Sequence, residues 1–151
     1  MAGPEASQSL FFLSFSSLTP TRFFSDAVAS PQNRDIFTDN IRDLYDRYNL
    51  DGVDIDWEYP GQAAQPGNSE SAADAANMLQ FFKLLRQKLP PRALISAAVQ
   101  DVPFTGSDGR PMHDVSPFSD TLDWVTLMNY DVFESMLIPP CLSFPLSHLS
   151  L

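Results

Sequence analysis

The stretch at residues 50–60 reads Leu50-Asp51-Gly52-Val53-Asp54-Ile55-Asp56-Trp57-Glu58-Tyr59-Pro60. From residue 53 to residue 58, apolar and acidic residues alternate, which predicts a strand with Val, Ile and Trp on one face. The opposite face would carry the carboxyl groups of Asp54, Asp56 and Glu58, with successive groups about 6.6 Å apart. Because unpaired carboxylates are costly to bury and raise one another's pKa values, such a row indicates a metal site or acid catalysis rather than packing.

A metal site needs ligands at fixed spacings, and the sequence does not provide them. A calcium loop that starts at Asp54 would need Gly at its sixth position and Glu at its twelfth, where Tyr59 and Gln65 stand. The one cysteine and two histidines are far apart and lack the spacing of zinc ligands. We therefore expect no metal. An acidic strand end that faces solvent is the remaining alternative to acid catalysis.

Composition and charge restrict the class of protein. The 151 residues are 44% hydrophobic and 12% aromatic, which suits one globular domain with a real core. The formal net charge of -10 argues against nucleic acid or an anionic membrane as partner, because both would repel the chain. A neutral substrate is electrostatically easier. The first residues make a poor signal peptide, and we expect no membrane span.

Two segments carry the periodicity of amphipathic helices. The first is predicted at residues 30–48, with Ser30 as its N-cap and Pro31 at its first helical position. The second follows a capping-box pattern formed by Ser71 and Asp74, and it ends before Pro90. The predicted apolar stripes are Phe37, Ile41, Leu44, Tyr45 and Tyr48 in the first helix, and Ala75, Met78, Leu79, Phe82, Leu85 and Leu89 in the second.

Two further apolar runs, Leu94 to Val99 and Asp123 to Tyr130, predict strands. The first run is almost continuously apolar or small, as expected for a parallel strand that is covered on both faces. Strands that alternate with helices predict an α/β fold built from βαβ units. Residues 100–117 between these strands are predicted to form a loop at the carboxyl end of a strand, where parallel α/β folds place their chemistry.

Several of these segments resemble a known family. The run Asp51-Gly52-Val53-Asp54-Ile55-Asp56-Trp57-Glu58 resembles the signature strand of the family-eighteen glycoside hydrolases, the chitinases with a TIM-barrel fold. Met128-Asn129-Tyr130-Asp131 resembles a second family motif on the sixth barrel strand. Ser14-Phe15-Ser16-Ser17 occupies the place of a Ser-x-Gly-Gly motif on the third strand, with serines in place of the glycines.

The resemblance implies a partial TIM (β/α)8 barrel with parallel strands that alternate with helices. It covers barrel strands three to six, whereas a closed barrel needs about 250 residues. We divide the chain into an atypical N-terminal segment (1–9), a partial catalytic domain (10–133) and an atypical unstructured tail (134–151). We expect that the two outer segments come from altered gene boundaries or retained non-coding sequence.

The resemblance also implies roles for the three acids. Glu58 would be the general acid that protonates the leaving glycosidic oxygen, and the nucleophile would be the N-acetyl oxygen of the substrate. Asp56 would orient the acetamido group and stabilise the intermediate. Asp54 would share a proton with Asp56 and so adjust its charge during the cycle.

Residues of the second motif would bind the substrate, which is chitin or a chitooligosaccharide. Tyr130 would hydrogen-bond the acetamido carbonyl, Asp131 would bind near the cleaved bond, and Met128 would line the barrel interior. Trp57 would pack against a helix, away from the carboxyl groups. The resemblance implies no cofactor, favours endo-type cleavage and suggests an extracellular protein, and it leaves the oligomeric state open.

Two alternatives to an active chitinase stay open. A chitin-binding lectin on the same fold is the first, although such relatives commonly lose the acid that Glu58 supplies here. A catalytically inert truncated product is the second, because four strands cannot close a barrel. For the isolated chain we expect little or no turnover.

Overall fold

The computed structural model describes residues 10–16, 23–62 and 69–129, and within them four strands alternate with helices. The strands are β1 (Phe12–Ser16), β2 (Gly52–Asp56), β3 (Leu94–Val99) and β4 (Trp124–Leu127). The helices are α1 (Phe24–Ala29), α2 (Pro31–Tyr48), α3 (Asp74–Lys88) and α4 (Ser116–Ser119). The predicted outer segments, 1–9 and 134–151, lie outside the described residues.

The four strands form one parallel sheet in the order β1-β2-β3-β4. The register aligns Ser14 with Asp54, Asp54 with Ser96, and Ser96 with Trp124. Strands that follow one another in the chain are therefore neighbours in the sheet, and helices lie in the connections between them. This arrangement confirms the predicted α/β fold with parallel strands.

The apolar face of the sheet forms the core together with the helices. Val53 and Ile55 of β2 and Ile95 of β3 are completely buried there, beside Ile41 of α2 and Phe82 of α3. Because side chains alternate along a strand, the residues between them project from the opposite face of the sheet. Burial of this apolar surface is the main favourable contribution to folding.

Stacked aromatic rings join the helices to one another and to the end of β2. The indole of Trp57 stacks on Phe24 of α1 with a centroid distance of 5.4 Å, so it packs against a helix as predicted. Phe37 of α2 stacks on Phe81 of α3 at 5.0 Å. Phe81 is buried although the predicted stripe does not include it. Helix α3 packs against α2 as well as the sheet, so its buried face is wider than the stripe.

Helix α2 begins and ends as the sequence predicts. Its N-cap is Ser30, whose Oγ accepts a hydrogen bond from the Asn33 N–H at 3.1 Å. It ends at Tyr48, and its C-cap Asn49 adopts a left-handed conformation with φ of 49°. The prediction that Tyr48 belongs to the buried stripe is wrong, since this residue is 63% exposed. Leu50, after the turn, packs against the core instead.

Helix α3 begins with half of the predicted capping box. The Ser71 N–H donates to Oδ2 of Asp74 at 2.8 Å, as the motif requires. The hydroxyl of Ser71 instead accepts from the Ala73 N–H at 3.2 Å, and the helix begins at Asp74. The reciprocal half of the motif is therefore missing.

The segment predicted as a loop at residues 100–117 contains some local structure. An antiparallel bridge joins Thr105 to Pro111, and the segment leads into α4. The strand that follows is shorter than the predicted run from 123 to 130, since β4 covers residues 124–127 and the described residues 123, 128 and 129 lie outside it. None of the helices in the described ranges combines the length and apolar character needed to cross a membrane.

Arg86 on α3 links the helix to the segments that lead into β3 and β4. Its guanidinium donates to the carbonyl oxygens of Ala93 at 2.7 Å and Thr121 at 2.8 Å, and to Oδ2 of Asp123 at 2.6 Å. The same carboxylate accepts from the Ile95 N–H at 2.7 Å. Burial opposes the ionisation of Asp123, but the Ile95 N–H and the guanidinium of Arg86 hold the pKa of this carboxyl below its usual range.

We expect the substitution Arg86→Met to lower the free energy of unfolding by about 1–3 kcal/mol, because carbonyl and carboxylate acceptors lose a charged donor. Urea unfolding followed by circular dichroism measures this change. Lys83→Met is the matched control, since Lys83 is exposed on the same helix, and we expect a change within about 0.5 kcal/mol. Equal losses in the two variants would contradict the anchoring role of Arg86.

Candidate active site

The polar face of the sheet lines one side of an open cavity of about 430 Å³. Alternate positions on all four strands contribute to it, so the acidic residues of β2 share this space with side chains from β1, β3 and β4. The lining residues are Phe12, Ser14, Asp54, Asp56, Ser96, Ala98, Trp124, Thr126 and Met128. The structure therefore brings together three residues of the predicted site: Asp54, Asp56 and Met128.

Two aromatic side chains from the first and last strands of the sheet meet on the face that carries the cavity. Phe12 lies on β1 and Trp124 on β4, the first and last strands of the sheet, yet their ring centroids are only 5.6 Å apart. In a flat sheet the backbones of these strands would be about 14 Å apart. The contact favours a concave surface, with the carboxyl groups of β2 near its middle.

Asp54 is held from both sides. The Ser14 hydroxyl on β1 donates to Oδ2 at 3.1 Å, and the Ser96 hydroxyl on β3 donates to Oδ1 at 2.6 Å. The sheet register places both serines level with this aspartate. Each oxygen of the carboxyl group therefore accepts a hydrogen bond from a different neighbouring strand, which fixes its orientation.

Asp56 lies one same-face step closer to the carboxyl end of β2 and is half-buried. Its Oδ1 atom is buried and has no hydrogen-bond partner within the described parts of the chain. A buried acceptor without a donor costs about 1–3 kcal/mol, so such atoms usually meet a donor from water, a proton or a ligand. This oxygen is therefore suited to bind a group that donates a hydrogen bond.

Glu58 is half-buried and follows β2 by two residues. The sequence prediction made it the last residue of the strand, but pairing with β1 ends at Asp56. The carboxyl group is thus carried by the segment that leaves the sheet. Trp57 packs on the helix side, and continued alternation would direct Glu58 to the side of the cavity.

The second predicted motif is only partly described. Met128 lines the cavity, and its N–H donates to the carbonyl oxygen of Val99 at 2.8 Å, which extends the pairing of β3 and β4. Tyr130 and Asp131 lie outside the described residues. Their contacts with a substrate stay predictions.

The polar groups of the cavity are carboxyl and hydroxyl groups. Asp54 and Asp56 supply the carboxyls, and Ser14, Ser96 and Thr126 supply the hydroxyls. None of the described lining residues is basic. Across residues 10–16, 23–62 and 69–129, no three His, Cys, Asp or Glu side chains are grouped in a way that could hold a metal ion. The arrangement suits an uncharged ligand that donates hydrogen bonds.

The residues of β3 and β4 that share the cavity with Asp54 and Asp56 were not identified from the sequence. Ser96 carried a signal, because it is the one polar residue in the otherwise apolar run from Leu94 to Val99. Its role depends on the register between β2 and β3, which the pattern of one strand does not specify. Thr126 and Trp124 gave no comparable signal.

A glycine allows the aromatic contact below the acids. A Cβ atom at Gly52 would lie 2.3 Å from Cε1 of Phe12 and 2.6 Å from the carbonyl oxygen of Leu94. Position 52 is one same-face step below Asp54, so the Phe12 ring crosses β2 at this level. The ring can cross because residue 52 has no side chain.

Comparisons with known proteins agree with this architecture. The family model described as Glycosyl hydrolases family 18 matches residues 6–141. A chitinase-like effector of Moniliophthora perniciosa is 39% identical over 124 residues, which are 82% of this chain and 28% of that protein. Chitinase A1 of Niallia circulans is 28% identical over 111 residues, which are 72% of this chain and 16% of that protein. The chain thus spans less than a third of either relative.

Solved structures show the same fold. A crystal structure of a chitinase from Rhizomucor miehei matches with a TM-score of 0.78 and 34% identity, covering 82% of this chain and 40% of that chain. Chitinase ChiA74 from Bacillus thuringiensis matches with a TM-score of 0.70 and 28% identity, covering 80% of this chain and 20% of that chain. With the family match, these similarities confirm the predicted partial TIM (β/α)8 barrel.

We expect Gly52→Ala to lower the free energy of unfolding by about 1–3 kcal/mol, because the added methyl group meets an aromatic ring and a backbone carbonyl. Urea unfolding of the single variant and of Phe12→Ala/Gly52→Ala separates the two causes. With Phe12 truncated only the carbonyl clash remains, so the glycine substitution should cost less by at least about 0.5 kcal/mol. An equal cost in both backgrounds would show that the ring does not press on position 52.

Proposed function

Because this chain belongs to family 18 of the glycosyl hydrolases, we propose that Asp54, Asp56 and Glu58 are the acidic residues of a chitinase-type site. The substrate would be a β-1,4-linked polymer of N-acetylglucosamine, either chitin or a chitooligosaccharide. One observation carries the proposal: Asp54 is fixed by two serines, and the next acid, Asp56, holds a buried oxygen to which none of the described residues donates, beside an open cavity. An N-acetyl sugar supplies an amide N–H that could satisfy this oxygen.

In the proposed reaction, Glu58 gives its proton to the leaving glycosidic oxygen while the bond from that oxygen to the anomeric carbon breaks. The acetamido oxygen of the same sugar forms a bond to the anomeric carbon, which gives a cyclic oxazolinium ion. Water then attacks this carbon as Glu58 takes one of its protons. Two displacements retain the configuration, and no metal or cofactor takes part.

Asp56 would stabilise the oxazolinium ion and orient the acetamido N–H. Both oxygens of Asp54 already accept hydrogen bonds from serine hydroxyls, so Asp54 is well suited to stay in place below Asp56. We propose that the two aspartates share one proton and that its position changes during the cycle. Tyr130 and Asp131 would complete the site from the carboxyl end of β4, and Met128 would line the floor next to them.

The uncharged character of the proposed substrate agrees with the electrostatics of the chain. A formal charge of -10 and a cavity that contains carboxyl groups disfavour anionic ligands. We also propose that the protein acts outside the cell and that it cleaves within the polymer, as expected from the family resemblance.

A second candidate function is a chitin-binding protein on the same fold that does not hydrolyse its ligand. The names of two relatives favour it, since proteins of Moniliophthora perniciosa and Moniliophthora roreri at 39% and 37% identity are called chitinase-like effectors. The presence of Glu58 favours the enzyme, because only hydrolysis needs the acid.

The substitution Glu58→Gln tests the proposed acid. Gln has nearly the same shape but cannot donate a proton to the leaving group, so we expect the rate on a fluorogenic chitooligosaccharide to fall about 10²–10⁴-fold. Glu70→Gln is the matched control, since Glu70 is exposed, and it should leave the rate unchanged.

Two proteins should be assayed. The 151-residue chain should turn over slowly or not at all, because four strands line the cavity from one side only. A chimera in which residues 10–133 replace the matching segment of the Rhizomucor miehei chitinase would supply the other barrel strands. Glu58-dependent turnover in the chimera would support the enzyme. Ligand binding without turnover would favour the second candidate, and a rate that Glu58→Gln leaves unchanged would refute the assigned acid.

A further inference from the structure

A buried aspartate lies behind the candidate site, on the helix side of the sheet. Asp74, the first residue of α3, is completely buried. Its Oδ1 accepts a hydrogen bond from the Ser25 hydroxyl at 2.6 Å. Its Oδ2 accepts from the Gly61 N–H at 3.1 Å and from the Ser71 N–H at 2.8 Å. The carboxyl group thus joins α1, the segment after β2 and the start of α3.

A helix cap explains only one of these three contacts. The Ser71 N–H belongs to the turn before α3, where a carboxyl group commonly caps the helix. Ser25 is 49 residues away in the sequence and Gly61 is 13 residues away. Burying a carboxyl group is costly unless its oxygens accept hydrogen bonds. Here two of the three donors, Ser25 and Gly61, lie outside the turn that precedes α3.

The segment reached by Asp74 is the one that carries Glu58. Gly61 is three residues after Glu58 and has a φ of 73°, a left-handed conformation that favours glycine. At one end of this segment Trp57 stacks on Phe24, the neighbour of Ser25 on α1. At the other end the side-chain amide of Gln62 donates to the Thr105 hydroxyl at 2.8 Å.

We propose that Asp74 is a positioning residue for Glu58. It fixes the Gly61 N–H at one end of the segment and orients α1 through Ser25, while the adjacent Phe24 holds Trp57 at the other end. The backbone that carries Glu58 is then fixed before this residue at Trp57 and after it at Gly61. This inference rests on the proposed function for the role of Glu58, but the anchoring itself is independent of it.

Hydrogen–deuterium exchange in Asp74→Asn tests the anchoring. Asparagine can still accept from the two N–H groups with its one oxygen while its amide donates to the Ser25 hydroxyl, but an amide oxygen is a weaker acceptor than a carboxylate oxygen, so the hydrogen bond from the Gly61 N–H is weakened. We expect exchange of the Gly61 amide to become about tenfold faster, with faster exchange across residues 57–62. Amides of β3 at residues 95–99 should be unchanged.

Asp114→Asn is the matched control. Asp114 is exposed, and its Oδ1 accepts from the Ser116 N–H at 2.8 Å at the start of α4, so its carboxyl group makes a local contact with the backbone without reaching residues 57–62. This variant should leave exchange at Gly61 unchanged. If Asp74→Asn accelerates exchange only in the first turn of α3, the residue is a helix cap and the proposal is wrong.

Ser25→Ala removes one donor and gives a milder variant in case Asp74→Asn does not fold. Faster exchange at residues 57–62 with unchanged β3 amides would support the proposal, and unchanged exchange at Gly61 would contradict it. In the active chimera, Asp74→Asn should lower kcat more than it raises KM. A chimera that shows the exchange effect without Glu58-dependent turnover would retain Asp74 as an anchor and refute the hydrolytic function.

Discussion

The strict alternation of side chains along β2 is the constraint on which the site depends. Val53 and Ile55 are buried in the core, so Asp54 and Asp56 can only project from the other face of the sheet. A slip of the strand by one residue would place both carboxyl groups among apolar side chains, at a cost of several kcal/mol. The packing of the core thus determines where the acids lie.

The same constraint acts on the neighbouring strands. Ser14 and Ser96 reach Asp54 because β1 and β3 pair with β2 in one register, and that register also places apolar residues such as Ile95 in the core. Polar and apolar contacts therefore specify the same alignment. Agreement between local pattern and tertiary packing is typical of sequences that fold to one structure.

Much of the fold could be predicted from local patterns. The alternation around Asp54, the cap at Ser30 and the continuous apolar run of β3 each correspond to an element in the structure. What could not be predicted depends on packing between elements. Phe81 is buried because α3 contacts α2, and Ser96 faces an acid because of the register between strands. Neither fact is encoded within a single window of sequence.

The two tryptophans of the chain occupy opposite environments, and this gives the protein a pair of built-in optical probes. Trp57 is 4% exposed behind the segment that carries Glu58, whereas Trp124 is 42% exposed beside the cavity. Buried indoles emit at shorter wavelengths and are shielded from soluble quenchers such as iodide. A sugar that settles over Trp124 would therefore change the quenchable, red-shifted part of the emission, while loosening around Trp57 would alter the blue-shifted part.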